Sequence, residues 1–155
     1  MVITKFKTHA HAFVDLPMTR ISNNYKGLKV ISLKAFGDAV ISEDKELFDT
    51  FSYNGEISKE PYVNDKLAWC GFTHDFVISY CVYKGYKNIG LVGVADFIMG
   101  NHYSRDYKPF NCSDILKRTS MNFIRDVYEK GINIFTCNPD SSLEVPYIGV
   151  DELLK

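Results

Sequence analysis

Asn88-Ile-Gly-Leu-Val-Gly-Val-Ala-Asp-Phe97 and Ile132-Asn-Ile-Phe-Thr-Cys-Asn-Pro-Asp-Ser-Ser142 are the two stretches on which the fold turns. Each is a short apolar run bounded by turn signals, the pattern of a buried strand. The first ends on the carboxylate of Asp96, the second in a cluster of small polar residues. With the segments around them, Cys70 to Val145 reads helix, strand, polar loop, helix, strand. In open parallel sheets ligands bind at the carboxyl ends of strands, so this order already places a site.

Upstream, a helix starts near Thr73 and turns Phe72, Phe76, Val77, Tyr80 and Cys81 toward a sheet, with Gly85 as its left-handed stop. Downstream, Ser113 caps the longest helix, where Leu116, Ser120, Phe123, Ile124 and Val127 recur at three- and four-residue spacing. Lys130 lies in its last turn and Gly131 just past it. A strand, crossover helix and parallel strand should wind right-handed. Farther out, Leu28–Leu33 reads as a buried strand, and Val2, Thr4, Phe6, Thr8 and Ala10 alternate within residues 1–20. Ser42, followed by Glu43 and Asp44, predicts a helix that turns Leu47, Phe48 and Phe51 inward and ends before Asn54-Gly55. Residues 52–66 read as an exposed polar loop, and the segment from Val145 as an extended stretch with a short amphipathic end. The expected architecture is one α/β domain over residues 1–155, with a small, mainly parallel sheet flanked by helices.

At 155 residues one core is the simplest arrangement. The formal charge is −1 and no long Lys/Arg block occurs, so composition makes no case for a nucleic-acid footprint. No run reaches the roughly 18 apolar residues of a membrane span. No secretory leader is legible after Met1 either, and a reduced, cytoplasmic chain is expected. Cys70, Cys81, Cys112 and Cys137 are far apart with no C-x-x-C pair, and three sit in small or apolar surroundings as hydrophobes. The 10 Tyr could line a pocket or pack at the core edge.

His102 sits in a polar loop with Asn101, Tyr103, Arg105 and Asp106. An imidazole titrates near working pH, so His102 could act as a general base on a sugar hydroxyl or be an ordinary exposed histidine. Tyr103, Arg105 and Tyr107 could donate to a phosphate leaving group. Asp96 could orient a ribose or substrate hydroxyl, or simply form a turn. Thr73, His74 and Asp75 form a first helical turn whose free amides suit an anion, with an N-cap as the plainer role for Thr73. Asn138, Ser141 and Ser142 crown the last strand and could contact a base or ribose, though Asn-Pro-Asp-Ser is itself a turn signal. His9-Ala-His11 could join His74, Asp75, His102 or Asp106 around zinc, or remain solvated surface. No metal ligand and no cofactor is assigned.

Gly85 to Phe97, the His-containing loop, and Gly131 to Leu143 together resemble a Rossmann-like group: bacterial sialyltransferase-like glycosyltransferases and related phage and bacterial proteins of unknown function. The resemblance spans roughly residues 68–153. It implies Thr73 as the helix-start residue, Asp96 as the strand-end acid, His102 as the catalytic loop histidine and Asn138 to Ser141 as the final ligand turn. The group's Gly-x-Gly-Pro-Ser-like phosphate turn has no counterpart here, where Gly37 is isolated. The implied function is a glycosyltransferase-like protein that binds a nucleotide or nucleotide-sugar, and the group's phage members make a phage-encoded protein part of that expectation. A non-catalytic module for a nucleotide ligand or a host protein is the alternative, and a metal-dependent hydrolase the third. A sheet this small leaves an edge or face uncovered, so a homo-oligomer is expected.

Overall fold

The computed structural model describes residues 10–12, 29–55, 59–92, 94, 114–141 and 143–153. Five strands form one sheet: β1 (Ala10–Ala12), β2 (Lys29–Leu33), β3 (Lys45–Ser52), β4 (Tyr62–Val63) and β5 (Lys66–Trp69). Their order is β1-β2-β3-β5-β4, parallel throughout except for the β4–β5 hairpin. Strand β2 reads Val30-Ile-Ser32 and is buried along that run, as expected for a parallel strand covered on both faces. The chain continues through α1 (Thr73–Tyr83), β6 (Asn88–Leu91), α2 (Asp114–Glu129), β7 (Asn133–Thr136) and α3 (Val150–Leu153). β6 and β7 form a second, parallel pair with Ile89 opposite Ile134 and Leu91 opposite Thr136.

Alternation along the strands decides which helix covers which face. Ile31, Phe48 and Leu67 point to one face of the larger sheet and meet Phe76 of α1. Phe48 lies edge-on to the rings of Tyr80 and Tyr83, with centroids 5.7 and 5.5 Å away. On the other face Val30 packs with Val40, beside a 3-10 helix over Lys34–Ala39. The largest cluster joins the two sheets: Ala68 and Cys70, Ile78 of α1, Phe123 and Val127 of α2, and Ile134 of β7. Helix α1 therefore turns Phe76 toward the five-stranded sheet and Ile78 toward β6 and β7.

The helices at 73–83 and 114–129, the parallel pair β6–β7, and the stops at Gly85 and Gly131 (both φ +84°) agree with the sequence. Three expectations are corrected. The helix expected after Ser42 is strand β3, because pairing with β2 on one side and β5 on the other overrides a weak local preference. The Ser42 hydroxyl donates to the Asp44 carbonyl at 3.1 Å, which makes a local turn and not a helix cap. The loop expected over 52–66 contains β4, and β5 follows it directly. Strand β6 closes at Leu91, short of Asp96, which lies outside the described residues. Of the alternating N-terminal stretch, Ala10–Ala12 is described, and it is strand β1. Among the described residues no helix is long and apolar enough to cross a membrane.

Candidate functional site

Helix α1 begins just after β5, across a turn in which Gly71 takes φ +112°. A Cβ there would stand 3.3 Å from the Leu116 side chain of α2, so the backbone favours glycine and any larger residue must push Leu116 aside. Phe72 occupies the cap position in extended conformation (φ −118°, ψ 149°), and its side chain makes no cap hydrogen bond. Thr73 is thus the first helical residue, which corrects its expected role as N-cap. The aromatic ring of Phe72 stacks on His74, with centroids 5.3 Å apart and planes 10° from parallel.

Asp75 and Ser120 are 0% and 1% exposed, yet polar. The Ser120 hydroxyl donates to Asp75 Oδ1 at 2.6 Å. His74 Nε2 lies 2.9 Å from Ser120 Oγ and 3.2 Å from Asp75 Oδ1. Because the serine proton goes to the carboxylate, Nε2 must carry hydrogen and donate. A nucleophilic triad needs the opposite arrangement, with the acid on the other ring nitrogen and the base accepting from an accessible hydroxyl. This Ser-His-Asp group is therefore a clasp between α1 and α2 and not an activated nucleophile. Burial, then the charge and hydrogen bond of Asp75, push the Cys70 thiol up, so it stays protonated and unreactive. Burial does the same to Cys81. A second buried pair ties β3 to α2: the Tyr53 hydroxyl donates to Asp126. Burial foremost, then that bond, raises the Tyr53 pKa.

Beside the clasp lies a groove of about 640 Å³ between α1 and β6. Thr73, His74, Val77 and Cys81 line the helix side, and the unbroken run Asn88–Val92 lines the strand side. The short link Lys84–Lys87 joins the end of α1 to the start of β6, so the two run in opposite senses. The start of α1 accordingly faces the carboxyl end of β6, where Leu91, Val92 and Val94 complete the lining. His74, with a side chain 15% exposed, stands at this end with one ring nitrogen in the clasp.

The structure thus brings two sequence-predicted residues, Thr73 and His74, to one groove at a strand's carboxyl end. Asn138 and Ser141 follow β7, whose Thr136 pairs with Leu91, so they leave the same edge one strand over. They do not line the groove. Asn138 Oδ1 accepts from the Asp140 amide at 3.0 Å and Ser141 Oγ from the Leu143 amide at 3.1 Å, so both side chains shape the turn. Asp96, His102, Tyr103, Arg105 and His9 lie outside the described residues, as does the side chain of His11. Among the described residues no group of three or more His, Cys, Asp or Glu could hold a metal ion. Sequence reasoning missed Ser120 as a partner of His74 and Asp75. The signal was present, since Ser120 is polar yet falls in the inward row with Leu116, Phe123, Ile124 and Val127. Comparison with protein-family models, curated proteins and solved structures returned no match.

Proposed function

We propose that the protein is a truncated Rossmann-like domain that binds a nucleotide or nucleotide-sugar in the α1–β6 groove. The observation that carries the reading is the meeting of α1's first turn with the carboxyl end of β6 across a mainly apolar groove. Parallel α/β sheets bind ligands at such edges, and concave apolar sites with few polar groups are the usual form of small-molecule pockets. Glycosyl transfer would take its chemistry from residues outside those described: His102 as base, Tyr103 and Arg105 as phosphate contacts, and Asp96 to orient the ligand. The chain enters the segment carrying these four directly after β6. One observation favours a non-catalytic binding module instead. The described serine, histidine and thiol groups nearest the groove are committed to packing or held protonated.

Thermal denaturation in nucleoside monophosphates, nucleoside diphosphates and nucleotide-sugars tests the reading. A ligand at 100 times its Kd should stabilise the fold by about 2.7 kcal/mol. No shift with any of them rejects the groove as a nucleotide site. Where a nucleotide-sugar binds and is turned over, His102→Ala should abolish turnover and keep affinity; binding without turnover leaves the module.

A further inference from the structure

The strand wall of the groove is lined by Asn88, Ile89, Gly90, Leu91 and Val92 in sequence. A sheet face would contribute every second residue, so the groove meets the edge of β6. The ladder with β7 says which backbone groups lie on that edge. Asn133 N–H donates to Lys87 O at 2.8 Å and Cys137 N–H to Leu91 O at 2.9 Å. Successive residues of a strand address opposite edges. Lys87, Ile89 and Leu91 therefore turn toward β7, while Asn88 and Gly90 turn their N–H and C=O groups, and Val92 its N–H, to the opposite edge, on the groove side. Among the described residues no strand pairs with β6 on that side.

Resting on the nucleotide reading above, we infer that this edge recognises the ligand's base: Gly90, with Asn88 or Val92, hydrogen-bonds the donor–acceptor edge of a nucleobase. The Asn88 carbonyl with the Gly90 amide, and the Gly90 carbonyl with the Val92 amide, each offer one acceptor beside one donor. That is the complement of the adjacent donor and acceptor on a base. Gly90 has no side chain to hold the ring away, a usual reason for glycine within a strand. Val77 of α1, with Cys81 a turn farther on, supplies an apolar surface for the ring face. An added peptide strand fits less well, because its affinity comes from main-chain bonds along several residues, and here three residues face outward.

The test titrates ¹⁵N-labelled protein with adenosine, cytidine, guanosine and uridine monophosphates and, separately, with ribose 5-phosphate. The Gly90 and Val92 amide resonances should move with at least one nucleotide and stay in place with ribose 5-phosphate. Gly90→Pro deletes the outward N–H and leaves the β7 ladder, so it should weaken that nucleotide about tenfold. A nucleotide that binds without moving either amide, and equally well to Gly90→Pro, overturns the base-reading edge while the groove reading stands. If no nucleotide binds, both fall. Resonances of Gly90 and Val92 that move as protein concentration alone rises assign the edge to a second copy and also overturn the proposal. Should Gly90→Pro fail to fold, the wild-type resonances decide.

Discussion

Ser120 shows how much one hydroxyl can be asked to do. It sits within an apolar row on α2, satisfies a fully buried carboxylate, and takes the Nε2 hydrogen of His74. The other Asp75 oxygen, Oδ2, meets no geometric hydrogen-bond partner among the described residues, and the Cys70 thiol near the carboxylate is at best a weak donor. Little reserve exists for losing a second bond, since a buried polar group stripped of its partner keeps its desolvation cost. Ser120→Ala should therefore destabilise the protein by about 1–3 kcal/mol. In urea this appears as a lower midpoint with an unchanged slope. A midpoint within error of wild type would show that the clasp contributes nothing to folding. The residue was legible in the sequence as a polar exception in a helical stripe, but its partners were not: they lie 45 and 46 positions earlier.

Among the elements, helices were easier to read than strands. The row on α2 repeats over several turns, so its 3.6-residue period stands out before any packing is known. Strand β5 has four residues, too few for a period to register, and it is held by neighbours on both sides. Strand β3 looks like a helix in sequence because Leu47, Phe48 and Phe51 also fit one helical face, and only the pairings with β2 and β5 decide between the two. The turns compare cleanly. A Cβ at Gly85 would meet nothing within 4 Å, so Gly85→Ala should cost about 1 kcal/mol for its left-handed backbone alone. Gly71→Ala should cost more, because φ +112° suits alanine poorly and the methyl would press on Leu116. Equal melting temperatures for the two variants would contradict the close approach of α2 to this turn.

At the scale of the molecule, one carboxylate ties the larger sheet to its helix. Glu46 of β3 pairs with Lys29 of β2 and with Lys84, 2.7 Å away, at the end of α1. Burial alone would raise its pKa, but the bonds and charges of the two lysines prevail and hold it below its ordinary 4.5. The hydrogen bond to Glu46 outweighs burial for both lysines and raises them above 10.5. A carboxyl lowered in the folded state stabilises above its unfolded pKa and loses that contribution as pH falls through the folded value. The raised lysines contribute below 10.5 and lose it as pH climbs past their folded values. This cluster's contribution should thus be level between those limits and decline outside them. Glu46→Gln should flatten the acid-side decline in urea midpoints below about pH 4.5, and an unchanged acid limb would assign that decline to other groups.

The architecture was visible from the sequence as layered α/β, because composition and the helix–strand alternation of the second half constrain it strongly. The grouping of the described strands into a set of five and a pair was not, since it depends on pairings that no local pattern encodes. At the groove, sequence pointed to the start of α1 and the end of the next strand. It could not show that β6 would present its edge there, because only the β7 ladder fixes which way each peptide faces.

Leu116 and Ser120 also impose an order on how the chain acquires this shape during synthesis. Asp75 leaves the ribosome 45 residues before the serine that completes its bonding, and Gly71 emerges well before the leucine that lies against it. Until α2 has been made and docked, the beginning of α1 carries a carboxylate without its serine, so this corner of the fold is completed only after the later helix emerges.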